Sequence, residues 1–259
     1  TNAAHGTPLP GNPRSDAGAR QLFNEHAARL FLPRTELTSA IEKITQHKAD
    51  NRVPEKYHAL GQRDVVLKLP TASPQCEKGQ ALSPMVAVDK RLCEWHLANP
   101  GVRVRIGNPD ELRSNRMGQT LDLLKHRVLN PEDGVAESIQ GAVITALNEE
   151  AVVSAALANK GGMNLVVSYE AFAMKMTGAL RQEIIFARHQ KELNRHPRWL
   201  SLPVIATSHL WENGKNEQSH QDSAFGEVML GEMSDMARVV YPADASTADA
   251  CLDACYQNH

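Results

Sequence analysis

Between Thr207 and Asp222 the chain reads TSHLWENGKNEQSHQD. Two histidines, a lysine, two glutamates and four side-chain amides fall within sixteen positions, directly after the apolar run LPVIA. Imidazoles move protons near neutral pH, and amides and ammonium groups hold polar or anionic substrates. His209 and His220 are eleven apart, which matches no metal-ligand spacing. Each can equally be a loop histidine satisfied by its neighbours. A polar loop of this length after a buried strand more often serves function than decoration. Asn213, Lys215, Asn216 and Gln218 are its candidates for holding a substrate.

Three other segments carry reactive types. Asn148-Glu149-Glu150 follows the apolar run GAVITAL. A carboxylate in a helix's first turn is favoured by the helix dipole, which is a sufficient structural reason for Glu149, and Glu150 would serve that role equally well. Tyr169, Glu170 and Phe172 follow MNLVVS, and Ser114-Asn115-Arg116 lies in the loop after VRVRI. The Arg116 guanidinium offers a planar fork for a phosphate or carboxylate, with the Ser114 hydroxyl beside it. The alternative is a surface arginine paired with Asp110 or Glu111. His189 and Lys191 close a long helical pattern, where cations suit the C-terminal dipole, so their structural role suffices.

The elements that must position these groups are strands alternating with helices. VRVRI, GAVITAL, MNLVVSY, LPVIATS and ARVVYPAD read as strands. Ser83-Pro84 opens a helix with Met85, Val88, Leu92 and Trp95 as its apolar stripe. Asn148 caps the helix after GAVITAL, and Gly161 follows its end. A helix runs from about 170 to 193, another lies near 223–234, and Ser246 or Thr247 caps the last. Near-continuous apolar strands between helices predict α/β architecture: an open, doubly wound, mostly parallel sheet covered on both faces. Ligands of such sheets bind beyond the carboxyl ends of the strands. All four polar segments fall on that edge.

Residues 1–82 read as an irregular N-terminal extension or linker, with helical patterns near 16–31 and 35–47. In the first, Leu22, Phe23, Leu30 and Phe31 lie near one face. In the second, Thr35 or Thr38 could be the cap. Residues 83–259 form the regular α/β domain.

The 259 residues carry a net charge of -2 and only 5% aromatics. That balance gives no electrostatic case for nucleic acid or an anionic membrane, and no supply of base-stacking platforms. No apolar run reaches the roughly 20 residues of a membrane span. Cys76, Cys93, Cys251 and Cys255 lack zinc-ribbon spacing and read as small buried hydrophobes of a reducing compartment, so the cytoplasm is expected. A metal or redox role is the alternative.

These residues together resemble the phosphoketolase family of thiamine-diphosphate enzymes, from about residue 83 to the end. The family's GPDE and SNR stand here as NPDELRSNRM. Its LSEH stands as LNEE, placing Glu149 at the glutamate, and its CYEAF as SYEAF. Its TSHVWRQDHNGFSHQD stands as TSHLWENGKNEQSHQD, keeping His209, Trp211, Asn216, Ser219, His220, Gln221 and Asp222. The resemblance implies the middle, pyrimidine-binding domain of the thiamine-diphosphate fold.

In that domain Glu149 would bond the cofactor's pyrimidine ring, Tyr169 and Phe172 would line its pocket, and His220 would handle protons. Ser114 and Arg116, with Asn213, Lys215 and Asn216, would hold the sugar phosphate or inorganic phosphate. The implied reaction cleaves xylulose 5-phosphate or fructose 6-phosphate with phosphate to acetyl phosphate and an aldose phosphate. A transketolase-like transfer, another sugar-phosphate conversion or a non-catalytic dimerisation module is the alternative. Two departures matter. Lys215 and Asn213 replace the family's histidine and glutamine, which bears on the proton-handling step. No GDG motif is present to hold the Mg2+ and diphosphate. A separate domain, commonly across a homodimer interface, would supply that half of the site, so the chain alone is expected to be inactive.

Overall fold

The computed structural model describes residues 9–50, 64–71, 79–109, 111–195, 197–208, 220–232 and 235–259. The chain divides into two compact units, Thr1–His58 and Ala59–His259. In the first, α1 (Ala17–Arg29) is capped by Asp16, whose carboxylate accepts from the Ala19 N–H at 2.7 Å. Pro33, not Thr35 or Thr38, precedes α2 (Arg34–Ala49). Ala19 is the one buried residue of the two helices, and Phe23, Leu30 and Phe31 remain exposed.

The second unit is built on a parallel sheet of β1 (Val104–Gly107), β2 (His126–Arg127), β3 (Glu137–Ser138), β4 (Val143–Ile144), β5 (Met163–Tyr169) and β6 (Val204–Thr207). Their order is β3-β2-β4-β1-β5-β6, with every pair parallel. Ile106 is registered between Val143 and Leu165, and Val166 lies opposite Val204. The helices among the described residues are α3 (Pro84–Ala98), α4 (Gly118–Leu124), α5 (Glu149–Leu157), α6 (Glu170–Ala173), α7 (Thr177–Glu192), α8 (Ala224–Gly231) and α9 (Ala245–Tyr256). A single 3₁₀ turn, Met174–Met176, joins α6 to α7.

Alternation along the strands feeds two cores. Val104, Ile106, Leu165 and Val167 pack with Val88, Leu92 and Trp95 of α3, Leu121 of α4, and Leu252 and Tyr256 of α9. Val166 points to the other face, among Val152 and Ala156 of α5, Leu180 and Ile184 of α7, and Phe225 of α8. The doubly wound arrangement expected from the pattern is therefore present. Gly107 allows the crossover helix α5 to lie close on β1, since a Cβ there would come within 2.8 Å of the Val152 carbonyl oxygen.

Three local expectations change. The stretch 237–243 within ARVVYPAD joins no ladder. Val239 packs its side chain against the second core instead, and the sheet ends at β6. The cap of α9 is Asp244, which accepts from the Thr247 N–H at 2.8 Å, while the Thr247 hydroxyl accepts from the Asp244 N–H at 2.9 Å. Thr247 is thus the far half of a capping box, one turn inside the helix. β2 and β3 are two-residue strands, too short to show a period in sequence.

The unit also begins before residue 83. Val65 is 1% exposed in the first core, and its N–H donates to the Arg198 carbonyl at 2.9 Å. The Lys68 N–H donates to Asn99 Oδ1 at 2.7 Å, and Asn99 Nδ2 returns a bond to the Lys68 carbonyl. No helix among the described residues is long and apolar enough to cross a membrane.

Candidate functional site

Because all six strands are parallel, their carboxyl ends share one edge. From β1 the chain moves toward β2, with α4 in the first layer. From β5 it moves the opposite way to β6, through α6 and α7 in the second layer. β1 and β5 are neighbours, so the strand order reverses between them. The carboxyl end of such a pair is where an open α/β sheet leaves a crevice. Here Asn108, Pro109, Glu111, Asn115, Ser168, Tyr169 and Phe172 line a cleft with room for about one water molecule.

The loop after β1 is shaped by a tight turn. The Arg116 N–H donates to the Arg113 carbonyl at 2.9 Å and the Met117 N–H to the Leu112 carbonyl at 3.1 Å. This is the Schellman pairing, and it places Arg116 in the left-handed region at φ 64°. A side chain in that region is disfavoured by roughly 1–2 kcal/mol relative to glycine. The Arg116 side chain is exposed and has no ion-pair partner among the described residues. Glu111, one of the two carboxylates that could have neutralised it, accepts from the Tyr169 hydroxyl instead. Asp110 lies outside the described residues.

Asn115 is buried, donates through Nδ2 to the Glu111 carbonyl at 2.7 Å, and accepts from the Thr207 hydroxyl. That contact ties the β1 loop to the end of β6. Ser208, next in the chain, is also left-handed at φ 60°.

Tyr169 ends β5 and meets four groups. Its ring stands edge-on to His220 at 4.6 Å between centroids and to Phe172 at 6.1 Å. Phe172 and His220 are 5.2 Å apart. Burial pushes the Tyr169 phenol well up from its ordinary value, and its bond to Glu111 adds to the rise; Ser114, also a hydrogen-bond partner, opposes it. Tyr169 is therefore a neutral donor at physiological pH. Glu170, buried at the start of α6, accepts from the Asp222 N–H at 3.3 Å and so fixes the chain after His220.

Glu149 and Glu150, equivalent by position, are separated by burial. Glu149 is 7% exposed, and Glu150 is exposed. Lys175 Nζ lies 3.4 Å from Glu149 Oε1 and 3.3 Å from Oε2, and 5.2 Å above the Phe172 ring centroid. One continuous string of contacts runs Glu149, Lys175, Phe172, His220 and Tyr169, and Tyr169 in turn meets both Glu111 and Ser114. Of the residues singled out from sequence, this string brings together Glu149, Phe172, His220, Tyr169 and Ser114. Arg116 sits on the same loop as Ser114 with its side chain outward. Asn213, Lys215 and Asn216, with His209, Trp211 and Ser219, lie outside the described residues.

Sequence reasoning missed Lys175, although it falls three residues after Phe172 and so shares its helical face. It missed Asn108 and Ser168 too. Asn108 donates through Nδ2 to the Val167 carbonyl at 2.9 Å, while its Oδ1 and the Ser168 hydroxyl are buried without partners among the described residues. The signal for Ser168 was a lone hydroxyl at the carboxyl end of an apolar strand.

Comparison with known proteins gives these residues a context. The family model of D-xylulose 5-phosphate/D-fructose 6-phosphate phosphoketolase matches residues 87–258. A probable phosphoketolase of Brucella abortus is 30% identical over 158 residues, covering 57% of this chain and 20% of the relative. One from Synechocystis is 27% identical over 169 residues, covering 62% and 21%. One from Clostridium acetobutylicum is 25% identical over 245 residues, covering 87% and 30%. The chain spans 20% to 30% of the length of these curated relatives. With a family match over most of its length, the chain belongs to the phosphoketolase family.

Proposed function

We propose that residues 83–259 form the pyrimidine-binding domain of a thiamine-diphosphate-dependent aldehyde-lyase that cleaves a ketose phosphate with inorganic phosphate. The observation that carries this reading is the string of contacts from Glu149 to Ser114, at the carboxyl edge of a parallel sheet and within the family match.

The side chains suit the aminopyrimidine half of that cofactor. Glu149 presents a buried carboxylate, able to bond a ring nitrogen, and Lys175 links it to the Phe172 ring, which meets Tyr169 edge to face. When bound, thiamine diphosphate would supply a carbon nucleophile for the sugar carbonyl. Glu149 would hold the ring proton at a carboxylate oxygen. Phe172 and Tyr169 would orient the ring by their faces and keep water from it. His220, packed on both rings, would carry a proton to or from the sugar hydroxyls. Ser114 and the outward guanidinium of Arg116 would bind phosphate, and Asn213, Lys215 and Asn216 would close on the same substrate. The diphosphate and Mg2+ would be held by a domain outside this chain, across a dimer contact, in a cytoplasmic enzyme.

The test is acetyl phosphate release by the full-length protein with xylulose 5-phosphate or fructose 6-phosphate and phosphate. Acetyl phosphate from at least one sugar is expected, as is a loss of at least a hundredfold in Glu149→Ala, the scale of a lost proton-transfer group. Release from neither sugar would remove the lyase. Unchanged turnover in Glu149→Ala would return that residue to an ordinary first-turn acid.

A further inference from the structure

We propose that Lys175 is a latch on the ring site: its ammonium occupies the space between Glu149 and Phe172 into which an aminopyrimidine must fit, and it swings out when the ring binds. The inference rests on the reading of Glu149 and Phe172 given above.

The geometry carries it. Lys175 Nζ is within 3.4 Å of both Glu149 oxygens, so it covers the acceptor positions a ring nitrogen and its amino group would need. It also stands over the Phe172 ring at 5.2 Å, the position of a cation held by an aromatic face. A planar ring bonded to Glu149 and lying on Phe172 would displace it from both partners at once. The two partners are confined and the cation is not. Glu149 is fixed at the first position of α5 and its side chain is 9% exposed, whereas the Lys175 side chain is 62% exposed. Lys175 is the middle residue of the 3₁₀ turn between α6 and α7, within reach of solvent for a flexible four-carbon stem. In the absence of a ring, the ammonium satisfies a buried carboxylate that has no other charged partner among the described residues.

A ligand that needs the open state binds more weakly by the fraction of time the latch is open. A partly exposed ion pair together with a cation–aromatic contact holds the closed state at a ratio of roughly 3 to 10. Removing the ammonium therefore tightens ring binding by the same factor.

The experiment uses the 259-residue chain with 4-amino-2-methylpyrimidine as probe, in wild type, Lys175→Met, Lys175→Gln, Glu149→Gln and the double variant Lys175→Met with Glu149→Gln. Affinity is read by NMR titration. The lysine ammonium groups are separately 13C-dimethylated, and the Lys175 signal is assigned by its loss in Lys175→Met. Expected are affinity gains of about threefold to tenfold in both Lys175 variants. The double variant should lose that gain, and the probe should shift the Lys175 signal toward that of an unpaired lysine. Equal or weaker binding in Lys175→Met and Lys175→Gln, with binding still lost in Glu149→Gln, overturns the latch and leaves the ring site standing. Binding insensitive to Glu149→Gln, or no binding in any form, removes the ring site and the latch with it.

Discussion

The Arg91–Asp253 network between α3 and α9, on one face of the sheet, and the carboxyl edge of the same sheet treat buried polar groups in opposite ways. On the face, Asp253 accepts from Arg91 Nε at 2.8 Å, from Arg91 Nη2 at 2.8 Å and from Trp95 Nε1 at 2.7 Å. Arg91, only 3% exposed, also reaches Glu94 and the Pro70 and Thr71 carbonyls. Trp95 and Tyr256 meet edge to face at 5.5 Å, and the Tyr256 hydroxyl donates to the Asn164 carbonyl at 2.8 Å. At the edge, Asn108 Oδ1 and the Ser168 hydroxyl are buried without partners among the described residues, and Arg116 and Ser208 sit in the left-handed region. A fully bonded network specifies one packing. A buried atom without a hydrogen-bond partner also occurs on α3, at His96 Nδ1, but at the edge two such atoms meet left-handed backbone at a strand-order reversal, the place where open α/β sheets bind ligands.

The largest effect follows from breaking the face. Asp253→Ala leaves the Arg91 guanidinium buried with two donors unpaired and removes the partner of Trp95 Nε1. The expected loss is about 3 kcal/mol of unfolding free energy, at the low end for a broken buried ion pair because Asp253 itself is 24% exposed. Urea denaturation of the purified chain measures it. A loss below about 0.5 kcal/mol would show that the network contributes no more than a surface pair.

A smaller effect is written into two histidines, His126 buried and His96 half-buried. Burial lowers the His126 imidazole from its ordinary value, against the opposing pull of Glu137, and burial lowers His96 as well. The folded chain thus holds fewer protons than the unfolded chain in the window between the lowered value and about pH 6.5. Stability is complete above that window and declines as pH falls through it. Denaturation midpoints compared at about pH 7.5 and about pH 5.5 should show the decline. His126→Gln should flatten part of it, since glutamine keeps a polar partner for the Thr145 hydroxyl, which bonds His126 Nδ1 at 2.7 Å. An unchanged slope in His126→Gln would assign the decline to other groups.

The two regions were not equally legible in sequence. Helices and the longer strands are written in apolar spacing, so MNLVVSY and the Val88, Leu92 and Trp95 stripe announced the face directly. The failures were local. ARVVYPAD has the composition of a strand, but strand formation needs a ladder partner, and the sheet closes at β6. His126–Arg127 and Glu137–Ser138 are too short to carry a period. At the edge, residue types marked Glu149, Tyr169, Phe172 and Ser114, because polar groups after apolar runs stand out along the chain. Lys175 and Asn108 did not stand out. A lysine on a helical turn and an asparagine before a proline are ordinary until the fold sets the one against Glu149 and places the other on the cleft that Ser168 also lines. The same holds for Glu149 over Glu150, since burial is a property of the packed helix and not of the pair.

The sharpest comparison removes one buried hydroxyl from each region. Tyr256→Phe deletes a donor whose acceptor, the Asn164 carbonyl, then loses that bond, so a cost of about 1 kcal/mol is expected. Ser168→Ala deletes a hydroxyl that has no partner among the described residues, 2% exposed beneath the cleft. No bond is lost there, and an apolar methyl replaces a desolvated polar atom, so stability should stay within about 0.5 kcal/mol of wild type or rise. If the edge is a binding site, the same Ser168→Ala change should weaken binding of 4-amino-2-methylpyrimidine or phosphate to the chain while the denaturation midpoint holds. A midpoint drop equal to that of Tyr256→Phe would mean that Ser168 belongs to the bonded core. The two regions would then differ in position only, and the argument from open valences to a ligand would lose its footing.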